Sequence, residues 1–126
     1  MNKRLAILIA TILFQVAILH AEGAIPSGII TALGNGNAGE LAKYFNNTIE
    51  LTINNNEQIC SKVQAEIIIR DFFKSNQPKG CKVLHQSGTT TKYSIIQLST
   101  STSDYRVTLL LKPTNNNYQI HQLRID

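Results

Sequence analysis

Ser61-Lys62-Val63-Gln64-Ala65-Glu66-Ile67-Ile68-Ile69-Arg70-Asp71-Phe72-Phe73-Lys74-Ser75-Asn76 carries the strongest local signal in the chain. Ser61 and Gln64 stand at the spacing of a capping box, and Ala65, Ile68, Ile69, Phe72 and Phe73 recur at i, i+3, i+4, i+7 and i+8. That periodicity predicts a helix with one face buried. Glu66 and Arg70, four apart on its other side, form an exposed pair contributing about 0.3 kcal/mol. Pro78 and Gly80 end the element, and from Cys81 the period of the apolar residues changes to two. Strands are predicted near 81–87, 92–100, 104–112 and 118–125, separated by short polar loops, which makes an antiparallel meander.

Upstream, Pro26 opens a short helical stretch through Ile29, Ile30 and Leu33 that Gly34-Asn35-Gly36 closes. Asn37 and Glu40 cap a second helix, with Leu41, Tyr44 and Phe45 on its apolar side. Residues 48–54 alternate, with Ile49, Leu51 and Ile53 on one side, and Asn54-Asn55-Asn56 turns the chain into a short strand near Gln58 to Cys60. Helices first and hairpin-linked strands last give an α+β class, with the helices packed on one face of a curved sheet.

The N-terminus reads as an export signal. Lys3 and Arg4 precede an apolar run from Leu5 to Phe14 that resumes after Gln15 and ends at Leu19. It is shorter than the roughly 20 apolar residues that cross a bilayer, and small residues follow at Ala21, Gly23 and Ala24. The expectation is a signal peptide over 1–21, cut near 21–23, leaving a single domain over 24–126 in the periplasm or outside the cell, with no membrane span. The chain has twelve Lys and Arg against eight Asp and Glu. Loss of Lys3 and Arg4 leaves ten basic residues, an excess of two. So mild a balance, without any basic run, argues against nucleic acid as a partner.

Cys60 and Cys81 are the two cysteines. A helix of about 24 Å between them argues against a disulfide, and both are expected to be free apolar fillers. Neither a CxxC spacing nor a third ligand beside the histidines suggests a metal, no cofactor motif is present, and Gly34-Asn35-Gly36-Asn37-Ala38-Gly39 joins two helices rather than following a strand. Asn46-Asn47-Thr48 spells a glycosylation sequon.

Several segments together resemble a known family: Gly36-Asn37-Ala38-Gly39-Glu40-Leu41, Tyr44-Phe45-Asn46, Ile49-Glu50-Leu51, Ser61-Lys62-Val63-Gln64-Ala65-Glu66, Asp71-Phe72-Phe73, Tyr105-Arg106-Val107 and Ile120-His121-Gln122-Leu123-Arg124-Ile125. They look like an exported bacterial family, domain of unknown function 4783, within the nuclear-transport-factor-2-like (cystatin-like) superfamily of cone-shaped α+β domains. The resemblance implies that fold and brings no activity, because the superfamily holds isomerases, hydrolases and dehydratases beside many binding modules. Its enzymes place polar groups inside the cone.

Pairing Leu84 with Ile95, Ile96 with Val107 and Leu109 with His121 sorts the meander into two faces. The more apolar face meets Phe72 and carries His85, Ser94, Tyr105 and His121, a candidate pocket for a small molecule. No carboxylate shares that face, so no catalytic residue is assigned; Asp71, on the helix flank, is the nearest. The opposite face exposes Leu84, Ile95, Leu110 and Ile120 and lines up Lys82, Gln97, Arg106 and Arg124, a candidate surface for an anion or an envelope protein and for pairing of two copies. Two functions stand: a non-catalytic binding or assembly module of the cell envelope, and a small-molecule enzyme of isomerase or hydrolase type using the cone pocket.

Overall fold

The computed structural model describes residues 24–126; the expected signal at 1–21 lies outside them. Helix α1 (Ser27–Asn35) and the short α2 (Ala38–Ala42) lead into a hairpin of β1 (Phe45–Ile53) and β2 (Asn56–Ser61). Helix α3 (Lys62–Ser75) follows, and then the meander β3 (Pro78–Ser87), β4 (Lys92–Thr100), β5 (Asp104–Thr114) and β6 (Asn117–Ile125). The strands form one six-stranded sheet in the order β2-β1-β6-β5-β4-β3. Every neighbouring pair is antiparallel except β1 with β6, which run parallel, Leu51 beside Leu123 and Ile53 beside Ile125.

Local chemistry accounts for the boundaries. Gly36 ends α1 in the left-handed region at φ 65°, which lets the Asn37 N–H donate back to the Ala32 carbonyl at 2.9 Å. Asn37 caps α2 by accepting from the Glu40 N–H. Asn54 and Asn55, at φ 48° and 67°, form the two-residue turn between β1 and β2, a conformation that asparagine tolerates better than most residues. At the head of α3 the box closes: the Ser61 hydroxyl accepts from the Gln64 N–H and the Gln64 side chain accepts from the Ser61 N–H, both at 3.2 Å.

Ala65, Ile69, Phe72 and Phe73 of α3 are buried against the inner side of the sheet, as the helical period requires. Phe72 meets Tyr105 of β5 edge to face, ring centres 5.1 Å apart. Glu66 and Arg70 pair on the solvent side at 2.6 Å. The sheet contributes Ile96, Leu98, Val107, Leu109, Leu111, Ile120, Leu123 and Ile125 to the same core, all but fully buried.

Two β-bulges correct the expected register. Ile96 does lie opposite Val107. On β3, however, Cys81 pairs with Leu98 and Val83 with Ile96, and then His85, not Leu84, pairs with Ile95, so Leu84 is an extra residue. On β6, Leu109 faces Leu123 rather than His121, while Leu111 faces Ile120; His121 is the extra residue between. A tight connection also contributes, because Thr114 pairs with Asn117 across only two residues. An inserted residue exchanges the faces of all that follow until the ladder resumes. His85 is therefore carried to the outer face, Gln86 turns to the helix side opposite Ser94, and Ile120 is buried inside instead of exposed.

Candidate functional site

Of the five residues expected in an inner pocket, three lie on the inner side. Phe72 and Tyr105 are packed together, and the Tyr105 hydroxyl donates to Asn76 Oδ1 at 3.0 Å, tying β5 to the end of α3. Ser94 is fully buried and its hydroxyl donates to the His85 carbonyl at 3.3 Å. These polar groups are satisfied by the fold itself; Asn76 Oδ1 also accepts from the Thr102 hydroxyl. His85 and His121 sit on the outer side, on β3 and β6, with β5 and β4 between them in the sheet. The structure does not bring the two imidazoles into one site.

The outer side carries the polar chemistry. Lys82, Gln97 and Arg106 form one cross-strand row, Lys82 opposite Gln97 and Gln97 opposite Arg106. Arg124 lies one row away. Two of these four groups already have acidic neighbours: the Arg124 Nε donates to Asp126 at 2.7 Å, and the Gln97 amide donates to Asp104 at 3.3 Å. The Asp126 carboxylate holds the Arg124 guanidinium above its ordinary range. Lys82 and Arg106 have no side-chain hydrogen bond or ion pair among the described residues and are the cations a partner would meet. Beside them Leu84 and Tyr93 remain 47% and 40% exposed, while Ile95 and Leu110 are half-buried.

A shallow outer hollow of about 290 Å³ lies farther along the same face, lined by Thr48, Glu50, Ile59, Lys112, His121 and Gln122. The bulge on β6 places His121 there. Its Nε2 is shielded from water and has no hydrogen-bond partner among the described residues. Burial, with help from the Lys112 charge, lowers its pKa below the ordinary 6.5, so the ring is neutral at physiological pH. Glu50 reaches this hollow because β1 runs beside β6 with Glu50 opposite Gln122. Alternation within the meander cannot reveal a carboxylate supplied by the first strand, and the parallel pairing leaves no local mark in the sequence. The hollow is open and shallow, with its carboxylate exposed, which suits contact with a surface better than sequestration of a substrate.

Cys60, on β2, is buried and its thiol points to the Ile49 carbonyl at 3.9 Å; Cys81, on β3, donates to the Ile30 carbonyl at 3.2 Å. The two stand on opposite edges of the sheet, both free thiols. Burial raises both thiol pKa values. Among the described residues no three His, Cys, Asp or Glu side chains gather as a metal site, and no helix is long and apolar enough to cross a membrane.

Residues 26–126 match the family Domain of unknown function (DUF4783). No curated protein matches the chain. The crystal structure of a DUF4783 family protein from Bacteroides ovatus is similar, with 34% identity, a TM-score of 0.79, and coverage of 82% of this chain and 96% of that one. More distant structures share the fold alone. A nuclear-transport-factor-2-like protein of unknown function from Silicibacter pomeroyi covers 100% of this chain and 98% of its own at 11% identity and TM-score 0.60. A domain of unknown function with a cystatin-like fold from Nostoc punctiforme aligns at 13% identity and TM-score 0.61, covering 79% of this chain and 70% of its own. Helices that lead into one curved six-stranded sheet, and a family match across all three helices and six strands, place this chain in the DUF4783 family with a nuclear-transport-factor-2-like α+β fold.

Proposed function

We infer that the protein is exported and serves as a non-catalytic binding or assembly module of the cell envelope, with the outer face of the sheet as its contact surface. The observation that carries this reading is the filled interior. Where a small-molecule enzyme of this shape needs a polar cavity, Ile96, Leu98, Val107, Leu109, Leu111, Ile120 and Ile125 leave no accessible surface. Recognition then falls to the outside, which carries Lys82 and Arg106 at one end and exposed Leu84 and Tyr93 farther along the same face. A mixed face of this kind suits a protein partner that brings carboxylates to the basic row and apolar side chains to the centre. Export is supported by the charged, apolar and small segments that follow one another over residues 3–24.

Photo-crosslinking in intact cells tests the reading. A crosslinking side chain at Tyr93 or Arg106 is expected to give a discrete adduct in the envelope fraction, and the same group at exposed Asp71, on the solvent side of α3, is expected to give none. The adduct at Tyr93 should fade in an Arg106→Ala, Arg124→Ala background. Equal crosslinking at all three positions, an adduct untouched by loss of the two arginines, or a cytoplasmic protein would refute it. An adduct with a second copy would assign the face to pairing of the chain with itself.

A further inference from the structure

The two edges of the sheet differ in how they are guarded. An open edge presents unpaired N–H and C=O groups, and proteins blunt it with proline, lysine, bulges or a covering element. The β3 edge has all of these: Pro78, Lys79, Lys82, the bulge at Leu84, and α1 lying against it through Cys81 and Ile30. The β2 edge, Asn56–Ser61, carries a single charge, Glu57, but no proline, lysine or bulge, and its pairing with β1 is unbroken from Thr48–Ser61 to Ile53–Asn56.

The direction of its free groups follows from the turn. In a two-residue hairpin the pair that flanks the turn exchanges hydrogen bonds, and bonded and non-bonded pairs then alternate. Ile53–Asn56 is the flanking pair, so Glu57, Ile59 and Ser61 direct their main-chain groups away from β1. The Ser61 N–H fits this, because it is taken by the Gln64 side chain instead of by β1. Glu57 and Ile59 are left with one donor and one acceptor each. Apolar side chains lie on both sides of this edge: Ile59, on the outer face, is 71% exposed, and Val63 and Ile67, four apart on α3 in the helix layer, are 69% and 51% exposed. A groove of about 300 Å³ between β2 and α3 joins Ile59 to Ile67 and Ile68.

We propose that this edge is a self-association surface on which a second copy of the chain adds its own β2, antiparallel, to make one twelve-stranded sheet. With Glu57 of one copy opposite Ile59 of the other, and the reverse across the two-fold axis, four main-chain hydrogen bonds form and every free group on both residues is used. The Gln58 side chains then meet at the axis. A lone foreign strand would complete the ladder but leave Val63 and Ile67 in water, because they belong to the helix layer above it. The occupant must offer a strand edge and a helix flank in the same relation, and this chain offers both. The outer-face reading uses other residues, Lys82, Tyr93, Arg106 and Arg124, and stands or falls separately.

Sedimentation velocity on the full-length gene product, purified after expression, tests this up to about 100 μM. The expected result is a dimer that Ile59→Lys and Ile67→Glu each weaken at least about tenfold, as loss of an interface centre does, with circular dichroism unchanged because both sites are exposed. Lys79→Glu, exposed on β3 at the far edge, should leave the dimer intact. A monomer at the highest concentration, a dimer indifferent to both substitutions, or a dimer broken by Lys79→Glu would overturn the proposal.

Discussion

Replacing Leu109 and Leu110 by alanine, one at a time, measures which side of the sheet is the core. Leu109 has no exposed surface and sits between Ser94 on β4 and Leu123 on β6, each held by the ladder. Its neighbours cannot close over a vacancy without breaking strand pairing. The loss of burial and the retained cavity together put Leu109→Ala at about 3–4 kcal/mol. Leu110 points to the outer face and is half-buried beside Gln122 and Tyr93, so Leu110→Ala should cost about 1 kcal/mol. Urea titration followed by far-ultraviolet circular dichroism gives both values, and thermal melts should show the inner variant lower by about 12–30 °C. Equal losses, or a larger loss from Leu110→Ala, would refute the assignment of inside and outside and the filled interior that rests on it.

Three further outcomes follow from particular groups. The lowered pKa of His121 means that the unfolded chain binds a proton more readily than the folded one. Stability from this residue is then complete above about pH 6.5 and falls as the pH drops through 6.5 toward the folded value. Imidazole proton resonances should titrate below 6.5, and His121→Gln should flatten that acid limb; a midpoint at or above 6.5 would contradict the burial of Nε2. Ser61→Ala removes the accepting oxygen of the capping box and should cost about 1 kcal/mol in the same urea titration, with no effect expected if the box were not formed. Both thiols should alkylate more slowly than free cysteine at pH 8, the raised pKa values leaving little thiolate, and Cys81 should react before the more buried Cys60; mass spectrometry of labelled peptides reports the order.

The helices, the strands and most of the core were legible because each rests on a local repeat. The period of α3 marks its buried stripe, and alternation places Ile96, Leu98, Val107 and Leu109 inside as observed. Both histidines were misplaced for one physical reason. Leu84 and His121 each occupy a bulge, and an added residue in a ladder has no compositional signature when its flanks are apolar on one side and polar on the other. Leu123 and Ile125 fix the register of β6 by their burial against Leu109 and Val107, which only the completed sheet enforces. The hollow around His121 was invisible for a different reason: Glu50 arrives there through a pairing between strands far apart in the chain.

That parallel seam has a consequence for how the molecule is assembled. β6 stands between β1 and β5, so without the nine residues Asn117–Ile125 the chain would hold two separate hydrogen-bonded ribbons, β2-β1 and β5-β4-β3. The seam joins residues about seventy positions apart, a distant closure of the kind that slows folding. The β6 strand is thus the keystone of the sheet: the two ribbons stay unjoined until it is seated between β1 and β5.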